Sequence, residues 1–105
     1  MSNHNSDFEF KALKMLEENP NLTQREISKE LGISLGKTHY ILKALISRGL
    51  LTLERFKTSE NKIAYLYLLT PKGIIEKSSL AQDFLDRKQE EFERLKSEIE
   101  EMTQE

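Results

Sequence analysis

Along the first half of the chain the apolar residues recur at intervals of three and four. Phe8, Ala12, Met15 and Leu16, with Leu13 beside them, form one helical stripe. Ser6-Asp7-Phe8-Glu9 has the form of a capping box, so the first helix is expected to open at Ser6. Asn19-Pro20 ends it, because a proline ring drives the residue before it out of helical backbone. A second capping box, Thr23-Gln24-Arg25-Glu26, predicts a short helix with Leu22, Ile27 and Leu31 on its apolar side. Gly32 is placed to end that helix in a left-handed residue, and Ile33 to anchor the turn in the core. Ser34 caps a third helix that directs Leu35, Thr38, Ile41, Leu42, Leu45 and Ile46 inward, and Gly49 closes it.

The period then falls to two. Leu50 to Lys57 and Lys62 to Leu69 read as strands, joined through the polar turn Thr58-Ser59-Glu60-Asn61. Thr70-Pro71 opens a last helix, with threonine as the cap and proline where its missing N–H costs nothing. The expected fold is mainly α with a small β wing: a winged helix-turn-helix of three helices and a two-stranded hairpin, followed by a long C-terminal helix. A plain three-helix domain with a structural hairpin is the alternative. The division we expect is a disordered N-terminus over 1–5, a DNA-binding domain over 6–70 and a dimerisation helix over 71–105.

Residues 23 to 48 carry the chemistry. A helix-turn-helix lays its second helix in the major groove of DNA, with that helix's first residues against base edges. The third helix turns Gly36, Lys37, His39, Tyr40 and Lys43 away from its apolar stripe, behind the cap Ser34. Lysine reaches guanine edges or phosphates, histidine donates or accepts, and tyrosine offers a hydroxyl and a ring for a thymine methyl. Thr23, Gln24 and Arg25, opening the second helix, can present N–H groups and side chains to a phosphate. Arg55, Lys57 and Lys62 flank the hairpin tip beside Asn61, where a basic wing can straddle the backbone or enter the minor groove. Taken singly, each of these residues is equally well a solvated surface residue. Their joint placement points to DNA.

The C-terminal helix has a second pattern. Ala81, Leu85, Lys88, Phe92, Leu95, Ile99 and Met102 alternate by four and three, a heptad seam with one polar position. Such a stripe needs a partner. A second copy related by a two-fold axis is the simplest one, and folding back onto the first helix is the alternative. Phe84 lies just off the seam and is free to pack on the domain. Asp83 with Arg87 and Glu90 with Arg94 stand at supportive i,i+4 spacing.

Charge sharpens the division. The net charge of −2 would disfavour nucleic acid if it were uniform. From Pro20 to Gly73, however, nine bases stand against four acids, a net of +5; from Ala81 to Glu105, four bases stand against nine acids, a net of −5. The middle of the chain can meet a polyanion while the tail stays clear of it. With no cysteine, disulfides and thiolate metal sites are excluded. No apolar run approaches the roughly 20 residues that cross a bilayer, and Met1 to Asn5 has no basic-then-apolar leader pattern, so a cytoplasmic protein is expected.

The run Leu22-Thr23-Gln24-Arg25-Glu26-Ile27-Ser28-Lys29-Glu30-Leu31-Gly32-Ile33-Ser34 resembles the LTQRELAxxLGIS core of many bacterial winged helices. Gly32 to Tyr40, Leu42 to Ile46 with Gly49-Leu50, and Tyr65 to Ile74 resemble a narrower group, the short MarR-type regulators associated with exopolysaccharide (EPS) gene clusters. The resemblance covers residues 8 to 102. It implies a repressor or activator that acts as a dimer on a pseudo-palindromic operator near polysaccharide genes.

Rival functions fare worse. No nucleophile elbow, phosphate-binding glycine loop, HExxH or metal-spaced histidine cluster is present, so neither an enzyme nor a cofactor or metal protein is expected. A single-stranded nucleic acid binder would want a row of exposed aromatics. A winged helix serving only as a protein-interaction module is the stronger rival.

Overall fold

The computed structural model describes residues 4–104, and their side chains from Ser6 onward. The chain runs α1 (His4–Glu18), α2 (Gln24–Leu31), α3 (Leu35–Ser47), β1 (Leu51–Lys57), β2 (Ile63–Leu69) and α4 (Pro71–Thr103). The fold is the expected three helices, hairpin and long helix. Helix α1 starts two residues before the expected Ser6, so Ser6 lies inside the helix and is not its cap. Of the N-terminal stretch expected to be disordered, His4 and Asn5 are helical and residues 1–3 lie outside the described residues. The strands start one residue later than the alternation suggested, because Leu50 is taken up in the turn after α3.

The helical stripes meet in one core. Ala12, Leu13 and Leu16 of α1, Ile27 of α2, and Ile41, Leu42 and Leu45 of α3 close on Leu50, Leu51, Tyr67 and Leu80. Thr38 is buried among them, and its hydroxyl donates to the Ser34 carbonyl at 3.0 Å, so its polarity is satisfied within the helix. Leu35, expected inward, is 42% exposed, because it sits in the first turn of α3 before the helix enters the core.

The two strands pair antiparallel, Leu51 opposite Leu69 and Lys57 opposite Ile63. This register puts Leu51, Leu53, Arg55 and Lys57 on one face with Ile63, Tyr65, Tyr67 and Leu69. Only the base of that face is buried, at Leu51 and Tyr67. The outer edge of β2 is tied to the α1–α2 connection, where the Tyr67 N–H donates to the Pro20 carbonyl.

Helix α4 docks at its start through unusually close packing. Thr70 caps it, accepting from the Gly73 N–H at 2.9 Å, while its own hydroxyl donates to the Gly49 carbonyl at 2.6 Å. The Thr70 N–H donates to the Leu50 carbonyl, and the Lys72 ammonium donates to that of Arg48. Gly73 lies directly on the Leu50 backbone, and a Cβ there would fall deep inside the Leu50 carbonyl oxygen. Beyond this junction α4 runs antiparallel to α1: Lys77 pairs with Glu17, Phe84 stacks on Phe10 with ring centres 5.6 Å apart, and Arg87 pairs with Asp7. Arg87 therefore bonds across the fold instead of to Asp83. From Lys88 to Gln104 every residue is exposed, and the molecule is 69 Å long.

The Leu50 carbonyl is main chain and already bonded to Thr70, so it cannot rotate away from an added methyl. Gly73→Ala is expected to destabilise the fold by about 3 kcal/mol in urea denaturation. Gly36→Ala, whose Cβ meets open space, should be neutral or stabilising by up to about 1 kcal/mol in the same measurement.

Candidate nucleic-acid interface

The helix-turn-helix is built from backbone needs met by side chains. Thr23 has extended backbone, accepts from the Glu26 N–H at 3.1 Å, and donates its own N–H to the Glu26 carboxylate at 3.0 Å. The reciprocal capping box read from the sequence is thus formed. The Thr23 N–H, and after it the Thr23 hydroxyl, hold the Glu26 carboxyl below the usual carboxylate range. Gly32 takes the left-handed conformation at φ 68°, and the Ile33 N–H returns to the Ser28 carbonyl, ending α2 in a tight reversal. Ser34 then caps α3 by accepting from the Lys37 N–H at 3.0 Å.

With its core side fixed by Thr38, Ile41, Leu42 and Leu45, α3 turns Gly36, Tyr40, Lys43 and Ser47 straight outward. Tyr40 is 66% exposed, so it does not pack on the hairpin. Lys37 and His39 lie on opposite flanks. Lys37 leans toward α1, its ammonium 4.6 Å from the centre of the Phe8 ring. His39 leans toward the hairpin, its Nδ1 3.4 Å from the Gln24 amide nitrogen. That same nitrogen donates to the Tyr67 hydroxyl at 3.0 Å. Gln24 therefore joins α2, α3 and β2, whereas the sequence suggested only a phosphate contact. Thr23 and Arg25 beside it are exposed.

The hairpin presents Arg55 and Lys57 on the face it shares with Leu53 and Tyr67. Leu53 and Tyr67 line a small hollow with His39, Lys43 and Ile46, so this face adjoins α3. A larger groove of about 610 Å³ separates the hairpin from the start of α2, between Leu22, Thr23 and Gln24 on one side and Leu53, Ile63 and Tyr65 on the other. At the tip, Asn61 takes a positive φ of 62°, the Asn61 N–H donates to the Thr58 carbonyl, and Lys62 pairs with Glu60 at 3.6 Å. Asn61 thus shapes the turn, a role its αL tolerance suits.

The +5 of the middle segment is not all available. Arg48 is held by Glu9 at 3.0 Å and Glu76 at 3.7 Å, Lys72 by a carbonyl, and Lys62 by Glu60. Arg25, Lys43, Arg55 and Lys57 have no ion-pair partner among the described residues.

Residues 6–52 match the family model described as winged helix-turn-helix DNA-binding. The fold is a winged helix-turn-helix, and the family match, which spans less than half of the chain, shows what that domain is similar to. No curated protein sequence matches the chain. Solved structures with a similar fold include transcriptional regulators of the PadR and MarR types. A PadR-like regulator from Bacillus cereus superposes with a TM-score of 0.72 at 17% identity, over 83% of this chain and 89% of that one. Staphylococcus aureus MarR, solved with salicylate and kanamycin, gives 0.60 at 23% identity, over 91% and 67%. The repressor CouR, solved on a 23-mer DNA duplex, gives 0.62 at 28% identity, over 82% of this chain and 59% of that one.

In the winged helix, the residues expected at DNA thus fall into three groups. Gly36, Tyr40 and Lys43 share the outermost face of α3, with Arg55 and Lys57 on the adjoining wing face. Lys37 and His39 flank that face. Thr23, Gln24, Ser34, Asn61 and Lys62 are engaged in building the domain, and Arg25 stands apart from all three, exposed at the start of α2. The Gln24–Tyr67 bond escaped the sequence reading. Its only signal there was a tyrosine at an inward strand position, whose hydroxyl needs a partner when buried.

Because the Glu26 pKa is lowered on folding, the capping box stabilises above the ordinary carboxylate range and is lost as pH falls through the lowered value. Replacing Glu26 with Gln should therefore flatten the acid limb of a thermal-melt series taken from neutral pH to below pH ~4. An acid limb identical to wild type would show that Glu26 carries no pH-linked stability.

Proposed function

We propose that the protein is a transcriptional regulator that binds double-stranded DNA as a homodimer. Helix α3 enters the major groove and the wing lies along the flanking backbone. One observation carries the reading: the exposed face of α3 bearing Gly36, Tyr40 and Lys43 adjoins the wing face bearing Arg55 and Lys57, and these cations have no ion-pair partner among the described residues. The likeness to CouR, solved on duplex DNA, supports it. Thr23 and Arg25 at the start of α2 frame the phosphate contacts, with Gln24 and Ser34 holding that end of the helix-turn-helix in place; Lys37 and His39 flank the reading face, and Asn61 and Lys62 shape the wing tip beside it. The sequence likeness to short MarR-type regulators supports exopolysaccharide biosynthesis genes as the targets.

The dimer forms through α4. Leu85, Phe92, Leu95, Ile99 and Met102 leave an apolar stripe along the outer side of the helix, each between 49% and 77% exposed. The intrachain contacts of α4 at Leu80, Phe84 and Arg87 flank this stripe and end where the fully exposed part of the helix begins, which leaves the seam for a partner. Ala81 begins it at the domain surface, and Lys88 crosses it with its ammonium near Glu91 and the Phe84 ring. A C2 dimer built this way presents two recognition helices to the two half-sites of a pseudo-palindrome.

Gel shifts on the upstream region of the protein's own operon test DNA binding. Arg55→Ala and Lys57→Ala should each weaken binding on all sequences and lower the salt slope by about one. Tyr40→Ala should instead erode the preference between sequences. No shift with any duplex at low salt would leave the winged helix as a protein-interaction module only.

Light scattering on the full chain tests the pairing. Phe92→Glu with Ile99→Glu should convert a dimer to a monomer with an unchanged thermal melt of the domain, since both side chains are exposed and lie beyond the Arg87–Asp7 pair. A dimer that survives both changes would place the interface elsewhere.

A further inference from the structure

The bond network at the flank of α3 defines what His39 can offer. The Gln24 side-chain nitrogen lies 3.0 Å from the Tyr67 hydroxyl and 3.4 Å from His39 Nδ1. An amide nitrogen carries two hydrogens and accepts none. One hydrogen goes to the Tyr67 oxygen and the other points at Nδ1. Nδ1 must therefore present a lone pair, and the single hydrogen of the neutral imidazole sits on Nε2. Tyr67 is 5% exposed and fixed by the strand register and the core, so it anchors the amide rigidly. His39 itself is exposed, on the recognition helix beside Lys43. Its Nε2 edge lies across the ring from Gln24.

We propose that Gln24 is a positioning residue that sets His39 as the Nε2–H tautomer, making His39 a hydrogen-bond donor toward DNA. This rests on the DNA-binding reading above. A donor on this flank selects acceptors: a purine N7, guanine O6 or thymine O4 on the major-groove edge, or a phosphate oxygen at the groove wall. It disfavours the amino groups of cytosine and adenine. The register of wing, α2 and α3 is thereby linked to base choice through three side chains, Tyr67, Gln24 and His39.

The tautomer is measured first, on the free full-length protein, from imidazole ¹⁵N shifts at a pH where the ring is neutral. His4→Gln removes the second histidine's signals. Wild type should show a protonated Nε2 and a bare Nδ1. Since an unconstrained imidazole also favours Nε2–H, the deciding variant is Gln24→Glu. Its carboxylate can only accept, and should move the proton to Nδ1 or make the ring imidazolium. Gln24→Met, of similar volume, should give the unconstrained mixture. A thermal melt confirms that each variant folds. A wild-type proton on Nδ1, or a Gln24→Glu spectrum like that of wild type, overturns the proposal.

The DNA arm uses duplexes recovered by the full chain from a randomised pool, then scanned with 7-deazapurines. A loss of about fivefold at one purine, absent in His39→Ala, assigns the donor to that N7. A flat scan with about fivefold weaker binding by His39→Ala assigns it to an acceptor other than N7: a phosphate oxygen where the loss is the same on all duplexes, guanine O6 or thymine O4 where it follows one base pair. His39→Ala binding equal to wild type on every duplex overturns the donor role. If the wild-type chain recovers no duplex, the DNA-binding reading fails, and the ¹⁵N result still decides the Gln24–His39 relation.

Discussion

The contact between Gly73 and the backbone of Leu50 is the constraint on which the rest of the structure depends. At that point the chain has left α3 and enters α4, whose exposed end beyond Arg87 runs roughly 24 Å. The Leu50 N–H is bonded back to α3 through the Leu45 carbonyl, and its own carbonyl is bonded forward to Thr70. Thr70 caps α4 and grips Gly49 with one hydroxyl. Any side chain at residue 73 would force the helices apart. The orientation of α4 is therefore fixed relative to the end of α3 by main-chain contacts, which have little freedom to relax. In the proposed dimer, this rigid relation between α3 and α4 would set the spacing of the two half-sites.

Around this junction the charged residues divide into two sets. Arg48, Lys72, Lys77 and Arg87 lie at α1, α3 and α4 contacts, each bonded to a carboxylate or a carbonyl. These are partly exposed pairs and contribute little stability singly; their value lies in fixing which surfaces meet. The second set, Arg25, Lys43, Arg55 and Lys57, stays unneutralised within the described chain. The separation matters for binding a polyanion, because only charges not already paired release counterions from DNA.

The wing is attached to the recognition helix by polar contacts as well as by apolar packing. Tyr67 brings a hydroxyl to the edge of the core, and Gln24 uses it to reach His39. A leucine at 67 would pack as well and carry no such link. The polar side chains between wing and helix are therefore informative about recognition, whereas the core beneath them, with no unpartnered buried polar side chain among the described residues, only holds the platform.

By itself, the sequence determined the order and type of every element, both helix-turn-helix caps, the left-handed Gly32, the outer face of α3 and the apolar seam of α4. These follow from local rules: backbone groups at helix ends need nearby side chains, and apolar spacing of three and four or of two fixes which face turns inward. Tertiary structure decided what long-range geometry controls. Lys37 went to Phe8 instead of the outer face, Gln24 turned inward to Tyr67 and His39, Arg87 chose Asp7 over Asp83, and Gly73 proved to be a contact point and not just a helix residue. Each of those choices depends on a partner 15 or more residues away, and no local periodicity carries that distance.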